Sequence, residues 1–314
     1  MAGDKIPIKI YTNKANESWI VDRLISEWKD SNPEMVARSV IFSDIVWIIS
    51  PWTWKWKINP LLRRKKIICT IHHFDTKDLE PFNVSLFKKR DKYIDAYHVL
   101  NNKMLHQLSQ LTNKPVYMMP FWVNQNIFFP IQDKDYLKQS YNLSKKEFLV
   151  GSFQRDTEGI DLQSPKLIKG PDRFVEIVSN LSREQKSLRV ILTGHRRQFV
   201  ISELKKKGIK YSYFKDVNFT QLNELYNCLD LYIVSSRIEG GPFSILESSA
   251  AMIPIISTNV GIANTILSEE SIYTMSNYKD AKPNVNVAYS NTEKLFIPKG
   301  MENFKQMFEK VIYS

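Results

Sequence analysis

Only two cysteines, Cys69 and Cys228, occur among 314 residues, far apart and in apolar contexts. That excludes a disulfide framework and reads as two buried free thiols in a reducing compartment. Runs of apolar residues long enough to span a bilayer are also missing; the longest, such as IVWII at 45–49, are strand-length. The opening MAGDKIPIKIYTN has no basic segment leading into an apolar one, so no signal peptide is expected. The expected location is therefore the cytoplasm, with the inner face of the membrane as a second possibility. There is no internal repeat, no low-complexity tract and no Cys/His cluster at zinc spacing. The Asp-x-Asp at 133–135 lies in a polar stretch rather than at a strand end, and GHRR at 194–197 is no phosphate loop. No metal and no cofactor are expected.

Acidic residues are in the minority, 33 against 44 Lys and Arg, which leaves a formal charge of +11. The balance favours an anionic partner: a nucleotide, a nucleic acid, a phospholipid surface or an acidic polymer. A lysine excess that only keeps the chain soluble accounts for it as well. No recognised RNA or DNA motif supports nucleic acid.

What is present is an alternation. Short apolar runs, IPIKIY, SVIFSDIVWIIS, KIICTIHH, AYHVLN and PVYMMPFW, then FLVGSF, LRVILTG, LDLYIVSS and IPIISTN, are separated by amphipathic stretches. This is the pattern of parallel sheets covered by helices. A helix is predicted over 18–30, with Trp19, Ile20, Leu24, Ile25 and Trp28 on one face. Another follows Pro171, carrying Phe174, Val175, Ile177, Val178 and Leu181. The polar segment 124–147 breaks the rhythm and is expected to be a linker. The expected fold is α/β, two doubly wound Rossmann-like domains facing a central cleft. They would comprise an N-terminal domain over 1–127, a C-terminal domain over 128–297, and a last helix over 298–314 packing back on the first domain. Phe304, Met307, Phe308 and Val311 fall on one face of that helix.

Residues 236–252, SRIEGGPFSILESSAAM, set Glu239 and Glu247 either side of a Gly-Gly-Pro turn where a parallel strand leaves the sheet. Gly240 and Gly241 let backbone approach a ligand, and Pro242 suits the first position of a helix that ends before Pro254. Free N–H groups at that helix start favour an anion. Two carboxylates around them suit vicinal hydroxyls either side of a phosphate. An ordinary turn glutamate plus one favoured by the helix dipole would give the same letters.

With seven residues between the glutamates, the stretch resembles the signature of the retaining, nucleotide-sugar-dependent glycosyltransferases of family 4, which have the GT-B fold. The segment FTQLNELYNCLDLYIVSSRIEGGPFSILESSAAMIPIISTNVG follows that family's order of elements, closing on Gly261. VYMMPFWVNQNIFFP, with Asn124 and Phe129-Pro130, looks like the stretch before its linker. DIVWIISPW and KKIICTIHHFD look like its acceptor-domain strands, with a histidine at the position of His72.

The resemblance implies a retaining transferase that moves a hexose from a nucleotide-diphosphate-sugar to a sugar or lipid-linked glycan acceptor in polysaccharide, lipopolysaccharide or glycan synthesis. Arg155 and Lys169, with Lys166 as rival for the second role, would hold the donor diphosphate. Glu239 would bind donor-sugar hydroxyls and Glu247 the ribose. The backbone of Gly241, Pro242, Phe243 and Ser244 would approach the donor. The segment 213–218, with Phe214 and Val217, would hold the base largely by backbone contacts. His72, or its neighbour His73, would line the sugar pocket. Two features depart from the family pattern: YTNKANESW has no glycine where members carry a Gly-Gly turn, and the loop near 160 is long. These keep a non-catalytic nucleotide-sugar-binding module, or an epimerase or phosphorylase of the same fold, as alternatives. Finally, Trp52, Trp54 and Trp56 alternate with Thr53, Lys55 and Lys57 ahead of a basic cluster. The stripe reads either as a packed domain edge or as peripheral contact with an anionic membrane.

Overall fold

The computed structural model describes residues 7–14, 16, 20–54, 62, 64–73 and 80–313. These fall into two compact units, one formed by the chain up to Trp122 together with Ile297–Ser314, the other by Val123–Phe296.

In the first unit β1 (Ile10–Thr12), β2 (Ile45–Ile48), β3 (Lys66–Thr70), β4 (Ala96–Val99) and β5 (Val116–Met118) pair in that order, all parallel. The helices α1 (Ile20–Ser31), α2 (Pro81–Asp91) and α3 (Asn102–Ser109) alternate with them. The strands β2 and β4 are buried at every position, as parallel strands covered on both faces must be. The α1 helix buries Val21, Leu24, Ile25 and Trp28; Trp19 lies outside the described residues. The run SVIFSDIVWIIS is not one strand. Ser43 Oγ donates to the Val40 carbonyl at 2.9 Å, closing a 3-10 turn over Val40–Phe42, and the strand starts only at Ile45.

The second unit contains α4 (Lys134–Ser140), β6 (Phe148–Ser152), α5 (Pro171–Glu184), β7 (Leu188–Thr193), α6 (Gln198–Lys206) and β8 (Lys210–Phe214). It continues with α7 (Phe219–Cys228), β9 (Leu231–Val234), α8 (Phe243–Ala250), β10 (Ile255–Thr258), α9 (Ala263–Ile266), β11 (Ile272–Tyr273) and α10 (Val285–Glu293). Its sheet runs β11-β10-β9-β6-β7-β8 and is parallel throughout. One apolar cluster covers one face, around Leu149, Leu225, Tyr232, Ile245 and Ile255. A second covers the other, around Val150, Phe174, Val178, Val190 and Ile233.

The segment 124–147 is not a free linker. It carries α4, which packs on α7, and the buried Lys138 pairs with Asp230 at 3.2 Å. Val123 N–H donates to the Leu295 carbonyl and Phe128 is fully buried in the second core, so the division falls after Trp122 rather than after 127. The last helix, α11 (Glu302–Tyr313), completes the first unit. Its Phe304 and Phe308 rings lie 5.5 and 5.3 Å from Trp47, and Phe308 also meets Trp28 edge-on. Aromatic pairs at such spacings add about 0.5–1.5 kcal/mol each beyond the area they bury.

Candidate active site

The strand order of the second unit reverses direction at one point. From β6 the chain moves outward through β7 to β8; β9 then returns to the other side of β6, with Val150 opposite Leu231. The loops leaving β6 and β9 at their carboxyl ends therefore diverge above adjacent strands. Open parallel sheets bind ligands at such a point. Those two loops carry Arg155, Lys166, Lys169 and Glu239.

They are joined by main-chain bonds. Arg237 and Ile238 N–H groups both donate to the Ile168 carbonyl, at 2.8 and 3.2 Å. Gly170 makes the approach possible. Its φ is +62°, and a Cβ there would lie 1.9 Å from the Ser235 carbonyl oxygen. The Arg237 guanidinium then grips Asp172, in the first turn of α5, through two bonds of 2.7 and 2.6 Å. That pairing holds the Asp172 carboxyl below its ordinary range.

The junction places Lys169 against Glu239. The ammonium donates to both carboxylate oxygens, at 2.6 and 2.7 Å, and Ser236 Oγ donates to Glu239 Oε1 at 2.9 Å. Both side chains keep some exposure, 27% and 11%, so the pair borders solvent and a ligand can reach it.

The β6 loop is anchored at its base by a buried pair. Arg197 Nε lies 3.0 Å from Asp156 Oδ2, both side chains at most 2% exposed. Asp156 and Thr157 N–H groups donate to the Arg196 carbonyl, and Lys166 N–H donates to the Asp156 carbonyl at 2.8 Å. Burial raises the Asp156 pKa and Arg197 opposes the rise. On this base Arg155 stands exposed, its Nε donating to the Thr157 carbonyl at 2.9 Å. Lys166 is half-buried, and burial together with the positive charges of Arg155 and Lys169 lowers its pKa. The three cations thus repel one another, with Glu158 and Glu239 offsetting part of their charge.

Glu247 is placed differently. It is 5% exposed on α8, and its Oε2 accepts a hydrogen bond of 3.0 Å from Tyr226 Oη. Tyr226 is buried in an aromatic group with Phe153 and Tyr232, ring centroids 4.7 and 5.3 Å away. Tyr232 Oη accepts from the Phe153 N–H, so the group ties the end of β6 to the floor beneath Glu247. Burial pushes the Tyr226 hydroxyl well above its ordinary pKa, which keeps it a donor to the carboxylate.

The turn between the glutamates also differs in detail from expectation. Pro242 caps α8 in an extended conformation, φ −64° and ψ 112°, and the helix starts at Phe243. It stops at Ala250, and Met252 turns into the left-handed region before Pro254 is reached. Gly261 is required here: at φ +56° a Cβ would lie 2.6 Å from the Gly240 carbonyl oxygen and 2.7 Å from Pro242 Cδ. Gly241, Phe243 and Ser244 are half-buried along this edge. Phe214 and Val217 pack against the core below the β8 end, and Lys215 and Asp216 between them are exposed.

His72 belongs to the first unit, after β3. Its Nε2 lies 2.6 Å from the Ile49 carbonyl, so Nε2 carries the proton and Nδ1 keeps its lone pair. Burial lowers its pKa to about 4, outweighing the bond to Ile49. Trp52 and Phe121 flank the ring at 5.2 and 5.9 Å. His73 is exposed. The Trp-Lys stripe is described only as far as Trp54; Lys55, Trp56 and Lys57 lie outside the described residues.

Among the described residues no group of three or more His, Cys, Asp or Glu side chains is placed to hold a metal. The Asp-x-Asp at 133–135 is structural: Asp133 caps α4 through the Tyr136 N–H and Asp135 pairs with Lys145. No helix among them is long and apolar enough to cross a membrane. Gln154, Ser236, Tyr226 and the Asp156–Arg197 pair also meet at this place and were not expected from the sequence. The signal for Ser236 was its place at the end of an apolar strand; nothing local marked the others.

Residues 164–294 match the family model described as glycosyl transferases group 1. No curated protein matches the sequence. Among solved structures, the chain is similar to Anabaena Alr3699/HepE in complex with UDP, at 10% identity over 98% of this chain and 100% of that one, TM-score 0.72. It is similar to sucrose-phosphate synthase from Thermosynechococcus elongatus at 12% identity over 93% and 78%, TM-score 0.66. A glycosyltransferase from Rickettsia africae aligns at 15% identity over 96% and 84%, TM-score 0.61. The fold is GT-B, and the stretch carrying Lys166, Lys169, Glu239 and Glu247 is the one that matches a glycosyltransferase family model.

Proposed function

We propose that the protein is a glycosyltransferase of family 4 that moves a hexose from a nucleotide-diphosphate-sugar to a hydroxyl acceptor, with retention and without a metal. The observation that carries this is the gathering of Lys169, Glu239 and the neighbouring cations Arg155 and Lys166 at the switch point between β6 and β9. Relatives in fold support it: HepE has been solved with UDP-glucose, and TarM with UDP.

In this reading Arg155, Lys166 and Lys169 bind the diphosphate and stabilise the charge that develops on its bridging oxygen as the glycosidic bond breaks. Glu239 accepts hydrogen bonds from the donor sugar, and Glu247, held by Tyr226, from the ribose. In this reading the departing phosphate oxygen takes the acceptor proton on the face it leaves. Sugar or lipid-linked glycan acceptors, and contact with an anionic membrane, belong to this proposal.

Thermal-shift screening with UDP, GDP and ADP and their sugars tests the donor assignment; one nucleotide should raise the melting temperature strongly. Donor hydrolysis that survives EDTA and disappears in Glu239→Ala and Arg155→Ala establishes turnover. Stabilisation by an oligonucleotide and by none of the nucleotides refutes it. The second reading, a binding module without turnover, draws on Asn13. Its Oδ1 accepts from the Ile49 and Ser50 N–H groups and its Nδ2 donates to the Ser50 carbonyl, fixing the chain after β1 without a glycine turn. Nucleotide binding with no hydrolysis and no transfer would favour that reading.

A further inference from the structure

We infer that Gln154 is a positioning residue for the Lys169–Glu239 pair, its carboxamide spanning the two switch-point loops and holding both partners in register. The inference rests on the sugar-transfer reading of the site. Gln154 directly follows Phe153, the residue whose N–H is held by Tyr232 at the end of β6. Its Nε2–H donates to the Lys169 carbonyl at 2.7 Å, and its Oε1 accepts from Ser236 Oγ at 3.1 Å. Both ends of one rigid planar group are therefore used, one on each loop.

Ser236 completes the link. It is fully buried, and its main-chain carbonyl is fixed by Thr258 Oγ1 at 2.6 Å. Its hydroxyl lies 2.9 Å from Glu239 Oε1, 3.1 Å from Gln154 Oε1 and 3.4 Å from the Lys169 carbonyl. One proton cannot serve three acceptors at once. When a sugar hydroxyl donates to Glu239 Oε1, the Ser236 proton can turn to Gln154 without being left unpaired. The carboxylate is then free for the ligand while Lys169 keeps its backbone anchor. Gln154 itself touches no reacting group; it acts through Lys169 and Ser236.

The test uses the full chain, with UDP and UDP-glucose as probes. Gln154→Met keeps the volume and removes both hydrogen bonds; Gln154→Glu keeps the acceptor but loses the donor and adds a charge beside Glu239. Gln154→Met should leave the melting temperature nearly unchanged, weaken UDP binding by no more than about threefold because Arg155 and Lys166 still hold the diphosphate, and lower kcat/KM for UDP-glucose hydrolysis about tenfold, in the range of one neutral hydrogen bond. Gln154→Glu should lower it further. A rate within twofold of wild type in both variants overturns the inference, as does a loss of UDP affinity equal to the loss of rate, which marks general loosening. A crystal structure of Gln154→Met supplies an arm independent of turnover: displacement of the Lys169 ammonium from Glu239 supports the inference, and an unchanged pair overturns it. Failure of wild type to bind any nucleotide is a different result, and it refutes the proposed function instead.

Discussion

Replacing Gly170 by alanine perturbs the junction of the two loops at its tightest point. Two costs arise. A non-glycine residue in the left-handed region at φ +62° costs roughly 1 kcal/mol. The new Cβ would also lie 1.9 Å from the Ser235 carbonyl oxygen, a main-chain atom that no side-chain rotation can move away. Relief requires the loop and the end of β9 to separate by more than an ångström. That breaks the Ser235 Oγ bond to the Gly170 carbonyl and the Arg237 and Ile238 bonds to Ile168. At about 1 kcal/mol for each of these bonds, the expected destabilisation is about 3–5 kcal/mol. Gly208 provides the internal control: it has φ +65° but nothing within 4 Å of a Cβ, so Gly208→Ala should cost only the conformational part, roughly 1 kcal/mol. Urea unfolding followed by tyrosine and tryptophan fluorescence reads both. A Gly170→Ala variant no less stable than Gly208→Ala would refute the close approach of the loops.

Lys169→Met should change stability by less than about 1 kcal/mol, because the pair borders solvent, yet reduce donor turnover at least a hundredfold; equal effects on both would contradict its placement. Tyr226→Phe removes the hydroxyl that donates to the buried Glu247, and should weaken nucleotide affinity about tenfold in calorimetry. His98 is fully buried, bonded to the Thr70 hydroxyl and the Met119 carbonyl, and burial lowers its pKa to about 3. The unfolded chain therefore binds the proton first. Stability from this group is present above the ordinary value near 6.5 and is lost as pH falls below it. From pH 7.5 to 5 the loss is roughly 2 kcal/mol. Chemical denaturation at the two pH values should show the loss in wild type; His98→Gln should remove this part and leave the similar contribution of His72, whose pKa burial lowers to about 4.

Much of the scaffold was legible because fully buried parallel strands leave continuous apolar runs. LDLYIVSS and IPIISTN announced β9 and β10, and the Gly-Gly-Pro turn announced the loop between strand and α8. SVIFSDIVWIIS misled because apolar content does not register a 3-10 turn whose Ile41 and Phe42 face solvent, 57% and 73% exposed. The 124–147 segment misled for the opposite reason. Its polarity is that of a short helix with an aspartate cap and a lysine buried against Asp230, a pairing set by residues 92 positions apart. At the site, the Gly-Gly-Pro turn pointed to the two glutamates, and the family resemblance to Arg155, Lys166 and Lys169. Which cation meets which carboxylate depends on loop geometry that Gly170 and Gln154 determine, and neither shows in local pattern.

In the proposed enzyme one anionic diphosphate belongs among the cations at the switch point of β6 and β9. Co-crystallisation with a non-hydrolysable analogue of the nucleotide sugar selected by thermal shift tests it most directly. The account predicts the diphosphate within hydrogen-bond reach of Arg155 and of Lys166 or Lys169, with the sugar against Glu239 and the ribose against Glu247. A nucleotide bound elsewhere, with the Lys169–Glu239 pair undisturbed and the cations facing only water, would contradict it.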